Sequence, residues 1–165
     1  MSKRSFPNWY KLAEAALNIT PAEFKAMSFN DKEALASNPR ITQETQRLFL
    51  KPEYWYQWQY RFLALSNLAY NPSIIPEIQQ LLFTEKNPVL LNALAQNHSL
   101  IPQIQLLFFT EEYSDKNEVL KILFDNPSFL KGVTLQEMRE FTKAKEARLP
   151  VYSKRLKTIR AMVLL

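Results

Sequence analysis

Side chains able to do proton, metal or nucleophilic chemistry are few and scattered. The 165 residues hold one histidine, His98, and no cysteine. Disulfides, zinc–thiolate sites, iron–sulfur clusters and thiol catalysis are therefore excluded. A single glycine, Gly132, leaves no room for a Gly-rich phosphate loop. The acidic run "EEYSDKNE" (residues 111–118) lacks the glycine and ligand spacing of a calcium loop and reads as a solvated connection. No catalytic residue, metal, cofactor or small-molecule substrate is expected, and the chain is read as not an enzyme.

Charge is the first feature with functional content. Residues 1–130 hold 12 Lys or Arg against 13 Asp or Glu, whereas residues 131–165 hold 9 against 3. In the last helix Tyr152, Leu156, Ile159 and Val163 form an apolar stripe, with Lys154, Arg155, Lys157 and Arg160 on the remainder. With Lys145 and Arg148 just before them, these cations form a candidate anion or nucleic-acid site. A basic amphipathic helix also suits a membrane surface, and the plainest reading is a helical cap that shows its charge to water.

The second feature is "KPEYWYQWQYRFL" (residues 51–63). Alternation would suit a strand, but a helical period continues past Leu63 and predicts a helix over residues 52–70. That helix places Trp55, Trp58, Phe62, Leu65 and Ala69 on a core face. Tyr56, Tyr60, Leu63 and Tyr70 fall on another face with Asn67, and the three tyrosines become candidate partner-binding residues. The alternative is that they pack on N-terminal helices around Trp9 and Leu12.

The elements that must position these side chains are marked by a recurring phrase: "ALASNPRI", "NLAYNPSI", "ALAQNHSL" and "ILFDNPSF". The copies align on Asn38, Asn71, Asn97 and Asn126, with spacings of 33, 26 and 29. Leu35, Leu68, Leu94 and Leu123 precede the asparagines by three. Ile41, Ile74, Leu100 and Phe129 follow by three, and Leu48, Leu81 and Leu107 follow the first three by ten. Gln46, Gln79 and Gln105 also share one offset. They form a candidate column for reading a partner, or else a solvated flank.

Each copy predicts two helices. The first ends at the asparagine, which can take the left-handed cap conformation and satisfy free backbone groups. The second starts at a proline, Pro76 or Pro102, and continues with Ile78, Leu81, Leu82 or Ile104, Leu107, Phe108. The seven extra residues of the first spacing are assigned to lengthening of the aromatic helix. Upstream, Thr20 with Glu23 and Asn30 with Glu33 read as helix starts; downstream, Thr134 with Glu137 and Pro150 do the same. His98 takes the place of a marker proline and reads as a turn residue. Ten prolines against one glycine oppose a hairpin-rich sheet protein.

The Leu-Ala-x-Asn-Pro phrase followed by an apolar helix resembles the leucine-rich repeat variant family, itself similar to HEAT repeats. The resemblance spans about residues 31–130, although the spacings here are not constant. It implies an all-α, right-handed α-solenoid of about four helical hairpins and is nearly silent on function. The chain then reads as an N-terminal helical cap (1–30), a repeat body (31–130) and basic C-terminal helices (131–165) in one continuous domain. The expected function is non-catalytic binding of a protein partner, with nucleic-acid binding through residues 131–165 as the alternative. Residues 87–110 are uncharged, but their amides, His98 and two prolines oppose a membrane span. The N-terminus has no signal-peptide run, so a cytoplasmic location is expected.

Overall fold

The computed structural model describes residues 18–108, 117–134 and 136. Among them the chain is all helical, with no strand. The elements are α1 (Pro21–Ala26), α2 (Phe29–Ala36), α3 (Gln43–Leu48), a 3-10 turn (Pro52–Tyr54), α4 (Trp58–Tyr70), α5 (Pro76–Thr84), α6 (Pro88–Gln96), α7 (Pro102–Leu107) and α8 (Asn117–Asp125). The chain divides into two compact units, Met1–Phe129 and Leu130–Leu165. Of the second, the described part is mainly a turn in which the Val133 N–H donates to the Leu130 carbonyl.

Helix starts follow local chemistry. Thr20 and Glu23 cap α1 reciprocally: the Glu23 N–H donates to Thr20 Oγ1 and the Thr20 N–H to Glu23 Oε2. The start of α2 differs from expectation. Ser28 and Asp31, two residues upstream of Asn30 and Glu33, make the reciprocal cap. The earlier start brings Phe29 into the helix, where its ring stacks on Tyr60 at 4.5 Å. Glu33, freed from capping, accepts from Asn67 Nδ2. Pro76 and Pro102 open α5 and α7 as their fixed φ favours, and Pro88 opens α6 behind an Asn87 cap.

The marker phrase ends α2, α4, α6 and α8, which lie side by side in that order. The core follows the repeat. Leu35, Leu68, Leu94 and Leu123 are buried, as are Ile41, Ile74 and Leu100. The expected stripe of the second helices is corrected at one place. Ile78, Leu82 and Phe83 are buried in α5, while Leu81 and Leu107 stand outside at 44% and 38% exposure. Residues 78, 79, 82 and 83 share one helical face, and position 81 lies nearly opposite Gln79.

The asparagines correct a second expectation. Asn71 (φ −65°, ψ 125°) and Asn97 (φ −70°, ψ 121°) are extended, not left-handed. Proline at the next position disfavours a helical conformation, and His98 in that place leaves the geometry unchanged. Their amides do the capping, across copies. Asn71 Nδ2 donates to the carbonyls of Ala36 (2.7 Å) and Asn38 (2.9 Å). Asn97 Nδ2 donates to Ala69 (2.6 Å) and Asn71 (2.9 Å), and Asn126 Nδ2 to Ala95 (2.8 Å) and Asn97 (3.0 Å). Each Oδ1 accepts from the N–H two residues on, at Ser73, Ser99 and Ser128. A helix C-terminus leaves four carbonyls without intrahelical partners; here the next asparagine supplies the donors.

Asn97→Ala removes the donors to the Ala69 and Asn71 carbonyls, of which Asn71 keeps the Ile74 N–H, and the acceptor of the Ser99 N–H; it should cost about 3 kcal/mol. In half-buried Asn38 the Oδ1 accepts from the Arg40 N–H within its own turn, so Asn38→Ala should cost about 1 kcal/mol. Urea unfolding of both variants checks this; equal losses would show that the ladder bonds add nothing beyond a local turn.

Candidate functional site

The aromatic segment does not form one helix from residue 52. Pro52–Tyr54 make a 3-10 turn, Trp55 is extended, and α4 begins at Trp58. The first spacing's extra residues are thus shared between a longer α4 and this connection. Trp55 is half-buried at the edge of the core. Its Nε1–H donates to the Phe49 carbonyl at 3.1 Å, and its ring lies edge-on to Phe24 at 6.0 Å and tilted against Phe49 at 6.1 Å. Trp58 is corrected from core to surface, at 66% exposure. Helices α2 and α6 start nine residues before their asparagines and α4 thirteen before its own. The first turn of α4 therefore extends past the starts of both neighbours: Tyr60 stacks on Phe29 of α2, while Trp58 stays exposed with its ring edge-on to the half-buried Phe62.

Tyr56, Tyr60 and Tyr70 are exposed at 93%, 41% and 55%. Leu63 of α4 and Val89 of α6 are exposed beside them, at the same distance from their asparagines. Arg61 alone carries charge in α4, and it turns aside: its Nη2 pairs with Glu85 Oε1 at 2.9 Å, largely out of solvent. Trp9 and Leu12 lie outside the described residues, as do Lys145, Arg148, Lys154, Arg155, Lys157 and Arg160.

The glutamine column is corrected from surface to interior. Gln46, Gln79 and Gln105 are each 1% exposed. Gln46 Nε2 donates to the Ser73 carbonyl (3.0 Å), and its Oε1 accepts from the Ile75 N–H (3.0 Å). Gln79 repeats the clamp on Ser99 (3.1 Å) and Ile101 (2.9 Å). Gln105 Nε2 donates to the Leu100 carbonyl at 2.8 Å. Ile75 and Ile101 precede the prolines of α5 and α7 and have no side chain able to cap; the preceding glutamine engages their N–H groups. These amides face backbone rather than a partner.

One unusual group escaped sequence reading. Lys32 is 3% exposed. It stands six residues before Asn38, where the other copies place Leu65, Leu91 and Leu120. Its Nζ donates to the Tyr54 carbonyl at 2.8 Å and lies 5.0 Å from the ring centroids of both Phe24 and Trp55. Burial holds the amine below its ordinary value, because desolvation penalises the charged form. The alignment that revealed the phrase contains the signal: a lysine aligned with three leucines.

His98 is exposed. Among the described residues no group of three or more His, Cys, Asp or Glu is placed to hold a metal ion, and no helix is long and apolar enough to cross a membrane. The chain matches no family model, no curated protein and no solved structure.

Because the folded-state pKa of Lys32 is lowered, the unfolded chain binds the proton more tightly, and stability rises with pH up to about 10.5. Lys32→Met removes that rise. The stability of the wild type relative to Lys32→Met should increase as pH goes from about 7 to about 10, read from paired urea melts. A constant difference would mean that the ammonium is not desolvated.

Proposed function

We propose that the chain is a non-catalytic binding protein, a right-handed α-solenoid of about four helical hairpins that presents its surface to a protein partner. Two repeated side-chain interactions, the asparagine ladder and the glutamine clamps, and the side-by-side order of α2, α4, α6 and α8 support the solenoid. A hairpin with one apolar face cannot bury it alone, and stacking neighbours is the usual solution. The observation that carries the binding reading is that Tyr56, Trp58, Tyr60, Leu63 and Tyr70 are all exposed within one fifteen-residue segment. Tyrosine and tryptophan are enriched at protein interfaces, where they give contact area at low entropic cost. The repeated polar side chains, by contrast, are already engaged with backbone.

A second reading is favoured by the charge of residues 131–165. Phosphate contacts by Lys145, Arg148, Lys154, Arg155, Lys157 and Arg160 would make these helices a nucleic-acid site.

Two variants separate the readings: a triple Tyr56→Ser, Tyr60→Ser, Tyr70→Ser chain and a chain with the six cations changed to Gln. Tyr56→Ser and Tyr70→Ser should each stay within about 0.5 kcal/mol of wild-type stability, and Tyr60→Ser, which loses the ring of Phe29, should cost about 1 kcal/mol. Affinity purification from the native host with nuclease should recover a protein partner with the wild type and the cation variant, but not with the tyrosine variant. Recovery that disappears with nuclease and with the six cations, and a log affinity falling steeply with log salt, would replace the first reading with the second.

A further inference from the structure

Helix α4 starts without a stop signal of its own. Gln57 at its N-cap makes no capping bond, and no acidic side chain lies in its first turn. Among the described residues no protein acceptor meets the backbone N–H groups of Tyr56, Gln57, Trp58, Gln59 and Tyr60. Upstream, Pro52 and Glu53 repeat the Pro-Glu pair that opens α5 at Pro76 and Glu77. A helix running from Pro52 would offer those N–H groups the carbonyls of residues 52–56, each four residues back. Yet Trp55 (φ −122°, ψ 123°) and Gln57 (φ −137°, ψ 133°) are extended.

Tertiary bonds hold the segment out of the helix. Lys32 Nζ donates to the Tyr54 carbonyl at 2.8 Å, and a helix continued from Pro52 would present that same carbonyl to the Trp58 N–H. Side chain and helix therefore compete for one acceptor. The ammonium also lies 5.0 Å from the ring centroid of Trp55, and the Trp55 indole N–H is tied to the Phe49 carbonyl. Among the described residues neither ion pair includes Lys32, so carbonyl and rings alone meet its buried charge. Leu65, Leu91 and Leu120 fill the equivalent place in the other copies at no such desolvation cost. What the lysine adds is its hold on Tyr54.

We propose that Lys32 is a positioning residue, a latch that keeps residues 54–57 out of α4, and that releasing Tyr54 lets α4 extend back to Pro52. Tyr56, Tyr60 and Leu63 are spaced so that a continuous helix would line them up on one face, whereas the latched chain leaves Tyr56 off the helix. The latch thus regulates whether the tyrosine stripe is assembled. That use rests on the reading of the tyrosines as partner-binding residues; the latch itself is tested without a partner.

NMR of the full chain, reading Cα secondary shifts and amide hydrogen exchange over residues 50–63, makes the test. The wild type should show extended shifts at residues 55–57 and fast exchange at residues 56–60. Lys32→Met keeps an unbranched stem in the leucine position and removes the donor. It should turn the shifts of residues 53–57 helical and slow exchange at residues 56–60. Adding Gln57→Asp, which supplies the cap that α4 lacks, should return the helix start to Trp58. Trp55→Phe removes only the indole bond to Phe49 and should move the same signals the same way by less, which keeps the test open if Lys32→Met does not fold. Extended shifts that persist in both single variants overturn the inference. So do coil shifts with fast exchange in Lys32→Met, the result of a lysine that merely fills the core, and so does a wild type already helical from Pro52. Because no partner enters the measurement, its failure leaves the protein-binding reading standing.

Discussion

Much of this structure depends on one requirement: the backbone groups at helix ends must be hydrogen-bonded when buried. The repeat meets it with side-chain amides acting across copies. An asparagine amide has two N–H donors and one carbonyl. In Asn71, Asn97 and Asn126 the donors close the C-terminus of the preceding first helix, while the oxygen closes the turn of the same copy. The glutamine clamp mirrors this at the helix starts, where Gln46 and Gln79 reach forward to the segments before α5 and α7. Apolar packing alone tolerates sliding between helices. Buried amides with fixed partners do not, because a slipped register would leave donors and acceptors unpaired in a low-dielectric interior.

The first copy confirms this logic by its departures. It has Thr42 where later copies have Ile75 and Ile101, and Gln43 where they have Pro76 and Pro102. Thr42 caps α3 with its own hydroxyl, accepting from the Thr45 N–H. Thr45 Oγ1 in turn accepts from Ile19, joining the segment before α1 to α3. Local caps thus stand where later copies receive a glutamine. Lys32 belongs to the same boundary. Its long stem fills a leucine position while its ammonium reaches the 3-10 turn beyond Phe24 and Trp55, a place that only the first copy and α1 create.

Legibility in the sequence followed the range of the interactions. The helix ends at Asn71 and Asn97, the prolines of α5, α6 and α7, and the Thr20 cap depend on neighbours a few residues away, and the spacing revealed most of them. The start of α4 was misread because helical periodicity in residues 52–57 competes with the bond from Trp55 to Phe49, a tertiary contact. The exposure of Trp58 depends on the lengths of α2 and α6 compared with α4, which no single helix states. The glutamines were placed at the surface because polar residues usually are. Their partners lie 20 to 29 residues downstream, and their burial becomes readable only once the stacking of copies is known.

The same ladders constrain where recognition can occur. Asn71, Asn97 and Asn126, and Gln46 and Gln79 as well, are committed to neighbouring backbone, so the repeated polar signature cannot also read a ligand without opening the joint between copies. Recognition must fall to positions where copies differ. The largest such difference in the described residues is α4, whose four-residue overhang leaves Trp58 exposed while Tyr60, 41% exposed, rests on Phe29. An insertion that leaves the ladder register unchanged keeps every asparagine and glutamine bond between copies, and the exposed ring of Trp58 remains available for contact.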